Sequence, residues 1–287
     1  MSLQLLQKKL MASLTRLLKI LAVTLALTIF SFSLAACHEG KNQGSIIVGC
    51  SNNVGGMLVN FALTNNKSFT VKTTTDEMST YPMMDCCSSN STWSLTSGEL
   101  DAAVLCPDAA ENFLAANKDF ILAGPLTYDT EVLVVANPRL KTIGYSNGQE
   151  RQKENLIAVY GDDPEYVPII ATSLPYALST GQIDAAVLDI GTAIWLDYSL
   201  VPLEGEEPTT VLVVQKDFYA SATYENMLEA IENARVALNN FEAFQEAMRF
   251  LSTEEVGRKE YEKWLSLGIR FPGQLKHPNR TTLNEKD

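Results

Sequence analysis

Short, wholly apolar runs recur along the chain, separated by polar loops and by stretches with helical spacing. Runs of this kind fit strands buried on both faces of a parallel sheet, since half-exposed strands alternate apolar with polar residues. The first is Ser45-Ile-Ile-Val-Gly, followed by the loop Cys50-Ser-Asn-Asn-Val-Gly-Gly and an apolar segment from Met57 to Leu63 that predicts a helix. Phe69-Thr-Val-Lys-Thr predicts the next strand, ahead of a long polar loop holding Met78, Met83, Met84, Cys86 and Cys87. A helix is expected over Thr92–Ser97, closing on Gly98-Glu-Leu-Asp-Ala-Ala-Val-Leu. That octet returns as Gly181-Gln-Ile-Asp-Ala-Ala-Val-Leu. A helix ended by glycine, a turn and a buried strand account for its order, and two copies suggest two similar α/β lobes.

Two β-branched runs, Glu131-Val-Leu-Val-Val and Thr210-Val-Leu-Val-Val, bracket residues 137–208. A chain that leaves one lobe, builds another and returns has two crossing strands at such places. The expected organisation is lobe 1 from residues 45–136 and 209–271, and lobe 2 from 137–208. Met227, Ile231, Ala234 and Leu238 mark one face of a helix. Further helices are expected over Phe241–Leu251 and Glu254–Leu267, packed back on lobe 1, with a polar tail over 272–287.

The first 36 residues look like a targeting segment. Lys8, Lys9, Arg16 and Lys19 precede an apolar stretch from Ile20 to Leu34, which ends in Leu34-Ala-Ala-Cys37. Small residues before a cysteine resemble a lipoprotein cleavage box, with Cys37 carrying the lipid and residues 37–44 acting as a tether. A transmembrane anchor is the competing reading, but a span needs ~20 apolar residues. Met11 is a second candidate start. Removing the four cations of residues 1–36, which contain no acidic residue, takes the formal charge from -12 to -16. That balance argues against nucleic acid and anionic lipid headgroups as partners.

Cysteine chemistry narrows the picture. Besides Cys37, the chain has Cys50, Cys106 and the adjacent pair Cys86 and Cys87. Cys50 and Cys106 each follow an apolar run, where a strand gives way to a loop, and ligands of open α/β sheets bind outside the carboxyl ends of strands. A disulfide between neighbours is strained, because adjacent Cα atoms lie ~3.8 Å apart and the usual bridge spans ~5.5–6 Å. Soft thiolates select soft metals. Histidine is confined to His38 and His277, which argues against an imidazole-built zinc site. Cys50, Cys86, Cys87 and Cys106 are therefore the candidate metal ligands, with Ser51 and Asn52 beside them. Tyr145, Ser146 and Asn147 at a strand-to-helix turn, and Asp189 after the second octet, are the contacts expected from lobe 2. The competing readings are that Cys50 and Cys106 are buried apolar residues or are joined to each other, that Ser146 or Asn147 caps a helix, and that the methionines fill gaps.

The lipoprotein box, the twin octets, the paired crossing strands and Trp264-Leu-Ser-Leu-Gly-Ile-Arg-Phe together resemble type II periplasmic-binding proteins, over roughly residues 45–271. The similarity is to the nitrate, sulfonate and pyrimidine subgroup. It implies two α/β lobes, each an open, mostly parallel sheet flanked by helices, with crossing strands at a hinge. It also implies a monomer that holds a solute between its lobes, without a cofactor, and delivers it to the permease and ATPase of an ABC importer. The cysteine arrangement is similar to the binding component of selenocysteine-assisted organometal transport systems, which implies an organometal or soft-metal cargo; here ordinary cysteine stands throughout. Two other functions compete. A sulfonate or nitrate receptor needs a cationic cleft, and no arginine occurs between Arg16 and Arg139, although Lys72 and helix termini remain available. A thiol-dependent enzyme resembling the pyrimidine-forming enzyme of thiamin biosynthesis is disfavoured by the lipoprotein box and the lack of a central histidine.

Overall fold

The computed structural model describes residues 45–65, 77–84, 89–203, 205, 207–272 and 275–276, all within one unit, Gly44–Asp287. The expected leader and Cys37, the strand Phe69–Thr73 and the Cys86-Cys87 pair lie outside the described residues.

The first lobe opens with β1 (Ser45–Ser51), α1 (Val54–Thr64), β2 (Glu77–Met83), α2 (Ser89–Thr96), β3 (Ala102–Leu105), α3 (Pro107–Ala116) and β4 (Phe120–Thr127). The second comprises β5 (Glu131–Val135), β6 (Thr142–Ser146), α4 (Glu150–Tyr160), β7 (Glu165–Ile169), a 3-10 turn (Ala171–Ser173), α5 (Leu174–Ser179), β8 (Ala185–Asp189), α6 (Ile190–Ala193) and β9 (Ser199–Pro202). The chain returns through β10 (Thr210–Gln215) and ends with α7 (Lys216–Tyr219), α8 (Ala222–Ala237), α9 (Phe241–Met248) and α10 (Arg258–Ser266).

The sheets have matching orders, β2-β1-β3-β10-β4 and β7-β6-β8-β5-β9. In each, one crossing strand runs against the others, β10 in the first and β5 in the second. The remaining strands share a direction, so both sheets are mostly parallel.

The repeated octet has one physical meaning in both lobes. Gly98 and Gly181 adopt φ of 78° and 69°, left-handed values that glycine takes without a Cβ clash. The aspartate that follows then ties the new strand to its neighbour. Asp101 accepts from the backbone N–H of Ile47 at 2.7 Å, and Asp184 accepts from that of Thr142 at 3.1 Å. Ile47 and Thr142 are therefore equivalent, and so are Ser51 and Ser146 four residues later.

The structure corrects two expectations. Much of the supposed polar loop is β2, which pairs with β1 from Ser45↔Glu77 to Ser51↔Met83. It is an edge strand, so Pro82 is tolerated and the outward residues Ser79 and Tyr81 are exposed. Second, β5 is an interior strand of the second sheet, so that sheet begins at Glu131 and not at 137. Both crossing strands lie in the lobe they enter, because each fills the slot between a buried strand and the sheet edge.

The core of the first lobe lies between its sheet and α1, α8 and α9. Helix α1 is buried nearly all round, and α8 presents Met227, Ile231 and Ala234 to the interior. Phe244 packs on Trp264 at 4.9 Å between ring centres, holding α9 to α10. Helix α10 starts at Arg258, after a non-helical turn, and Glu260 takes the Gly257 N–H at 3.0 Å.

Candidate functional site: the cleft between the sheet ends

Equivalent strand ends of the two lobes meet at one cleft of about 260 Å³. From the first lobe come Ser51 at the end of β1, Cys106 after β3 and Thr210 at the start of β10. The matching positions in the second lobe are Ser146, Asp189 and Glu131. Glu131 and Asp189 are direct partners across β5 and β8. The two lobes thus use one geometry with different chemistry: a thiol and two hydroxyls on one side, one hydroxyl and two carboxylates on the other.

Each group is held by its own network. The Ser51 hydroxyl donates to the Val104 carbonyl, and Asn53 caps α1 by accepting from the Gly56 N–H at 2.9 Å. Glu131 accepts from the Gln152 amide at 2.8 Å, and that residue's oxygen takes the Ser146 N–H at 2.9 Å. Arg151 stands 3.6 Å from Glu131, behind the cleft wall. Thr127, Thr130, Thr209 and Thr210 share a buried set of hydroxyl hydrogen bonds where the chain changes lobes. No residue lining the cleft among those described is Lys or Arg.

Asp189 joins the lobes. Its Oδ1 accepts from the Gly191 N–H at 2.9 Å and caps α6. Both its oxygens also face the Val54 N–H, at 3.2 and 3.3 Å, the first amide of α1 in the other lobe. Asp108, in the first turn of α3, lies in the field of Arg151, in the first turn of α4.

Burial pushes the Asp189 carboxyl up to about 7, against the amides of Gly191 and Val54, with Glu131 adding to the rise. Burial likewise raises Glu131, opposed chiefly by Arg151 and Gln152. Asp108 is raised by burial and by Cys106, against Arg151. All three carboxylates therefore resist ionisation.

No protein-family model matches the chain, and comparison with curated proteins gives no match. Solved structures do match. The alkanesulfonate-binding protein SsuA of Xanthomonas axonopodis pv. citri, bound to MOPS, superposes with a TM-score of 0.61 at 14% identity, over 82% of this chain and 86% of that one. The methionine-binding protein MetQ gives 0.56 at 14% identity, over 75% and 100%. A zinc-bound ligand-binding component of an ABC-type import system from Staphylococcus aureus gives 0.56 at 11% identity, over 78% and 90%. The chain has the periplasmic-binding-protein fold.

Within this periplasmic-binding-protein fold the expected site residues part company. Ser51, Asn52, Cys106, Ser146 and Asp189 line the cleft. Cys50 does not: it is 0% exposed, packed in the core, with its thiol directed to the Val48 carbonyl at 3.7 Å. Strand alternation is the cause, since Ser51 takes the cleft side and Cys50 the core side. Burial also pushes the Cys50 thiol up, which opposes a thiolate there. Tyr145, the equivalent of Cys50, is buried in the second lobe's core for the same reason, and Asn147 is exposed away from the cleft.

Cys50 and Cys106 are both thiols, not a disulfide. Met84 lines the cleft immediately before the segment that carries Cys86 and Cys87, whereas Met83 is buried in the core and Met78 is packed against it. Among the described residues no group of three or more His, Cys, Asp and Glu is placed to hold a metal ion. None of the described helices is long and apolar enough to cross a membrane.

Sequence reasoning missed Glu131, Gln149 and Gln152 in the cleft, and Asp108 behind it. Glu131 was legible only as the first residue of a crossing strand. Its place in the site depends on the strand register, which no local pattern shows.

Proposed function

We propose that this chain is the extracytoplasmic solute-binding component of an ABC importer, anchored through lipid on Cys37, and that its cargo is a soft metal cation or an organometal. The fold it shares with solute-binding proteins supports the general role. The observation that carries the choice of cargo is the cleft's chemistry. Cys106 and Met84 bring sulfur to a cavity whose opposite wall holds Glu131 and Asp189, and whose described lining has no cation. Soft sulfur donors favour soft metals, and neighbouring carboxylates favour a positive species over an anion. Cys86 and Cys87 supply the remaining thiols in this reading. Ser51, Asn52 and Ser146 orient the cargo, and thiol coordination releases protons.

The test is native mass spectrometry of the reduced mature protein titrated with methylmercury, mercuric, cuprous and zinc ions in excess small-molecule thiol. A one-to-one adduct with a soft species is expected, lost in C106S and in the C86S/C87S double variant. Adduct formation unchanged in both variants would refute the thiol site.

A further inference from the structure

The amino end of α1 is the natural place in this cleft for an anion. Its first N–H groups have no partner within the helix, and an eleven-residue helix presents partial positive charge there. That place is already taken. The Asp189 carboxylate reaches it from the opposite lobe, with its oxygens 3.2 and 3.3 Å from the Val54 N–H. In addition, Gln149 lines the cleft, and its buried amide oxygen has no hydrogen-bond donor among the described residues. An acceptor left in this state suits a solute that brings a proton donor or positive charge, not one that brings further acceptors.

We infer that Asp189 is the specificity-determining residue of the cleft: it provides internally the negative group that the amino end of α1 attracts, so the cleft rejects anionic solutes and admits cationic ones. The inference rests on the cleft being the solute site, and it adds charge selection to the soft-metal reading. The binding principle is substitution. An anion would have to displace a tethered carboxylate and then sit beside Glu131.

The experiment compares wild type with Asp189→Ser by calorimetric titration of methanesulfonate at pH 8, and with methylmercury in the same samples. Serine still caps α6 through Gly191 but is too short to reach Val54. Methanesulfonate is expected to bind the variant at least about tenfold more tightly than wild type, the effect of one charge-assisted hydrogen bond. A folded variant with no gain, or a wild type that binds methanesulfonate equally well, overturns the assignment. Should D189S fail to fold, D189N removes the charge but can still place an oxygen against the Val54 N–H; a smaller gain in methanesulfonate affinity over wild type is then expected, and no gain overturns the assignment. Methylmercury reports separately on the thiols: its failure to bind wild type refutes the soft-metal reading and leaves the Asp189 result to stand or fall alone.

Discussion

Two glycines of the first lobe show how one residue type answers two different demands. A Cβ at Gly98 would meet open space, with nothing within 4 Å, so glycine is required there only by its φ of 78°. Replacing it with alanine is expected to cost about 1–2 kcal/mol, the penalty of a left-handed backbone. Gly56 is required by contact. A Cβ there would lie 1.8 Å from the Ser51 carbonyl oxygen, so the turn from β1 into α1 closes only without a side chain. Gly56→Ala must push α1 away from β1, disturbing Ser51 and the Val54 amide together. Its cost should reach or exceed the upper end of the roughly 1–3 kcal/mol typical of overpacking. Urea unfolding of both variants checks the ranking; equal midpoints would show that the β1–α1 turn yields easily. The twin aspartates of the octet belong to the same scale, since their hydrogen bonds explain why the motif occurs twice.

Among the elements, those most legible in the sequence were the ones whose local chemistry and long-range role agree. Helix α8 was readable from the spacing of Met227, Ile231 and Ala234, and the buried strands from Ala-Ala-Val-Leu. Strand β2 was not, because Glu77-Met-Ser-Thr-Tyr-Pro-Met is polar and contains proline; its partner β1 makes it a strand. The candidate site was legible in part: the strand-end rule located Ser51, Cys106 and Asp189, but assigned Cys50 and Tyr145 the wrong side of their strands. One connection escaped any local pattern. The segment after α10 returns to the hinge, where Arg270 pairs in backbone hydrogen bonds with Tyr128, forms an ion pair with Asp129 and donates to the Gly205 carbonyl at 3.0 Å. It thereby touches both passages between the lobes. Asp129 has φ of 59°, a strained value for a residue with a side chain, and the ion pair helps to hold it there. Arg270→Ala should loosen both passages at a stability cost of about 1 kcal/mol or less, because the guanidinium is largely exposed. Small-angle scattering should show a wider spread of lobe separations in that variant. An unchanged profile would mean that the backbone pairing alone fixes the hinge.

At the scale of the molecule, Asp108, Glu131 and Asp189 act in one direction. All three carboxyls are raised in the folded protein, and that of Asp189 engages the opposite lobe. A carboxyl that is harder to ionise when folded stabilises the fold below its unfolded value and withdraws that contribution as pH rises through the folded value. For Asp189 the window runs from the ordinary aspartate value of ~3.9 to the folded value of about 7. The unliganded protein should therefore lose stability between pH 5 and 8, and Asp189→Asn, which cannot titrate, should flatten that slope. Cargo acts against this trend. A cation entering the cleft is drawn by the ionised carboxylates, so its binding should strengthen over the interval in which the empty fold weakens, and its protection against unfolding should be larger at pH 8 than at pH 5. Thermal unfolding across that range, with and without methylmercury, measures both slopes. If the empty protein gains stability towards pH 8, or D189N keeps the wild-type slope, the buried carboxylate between the lobes is not what sets the pH dependence of stability.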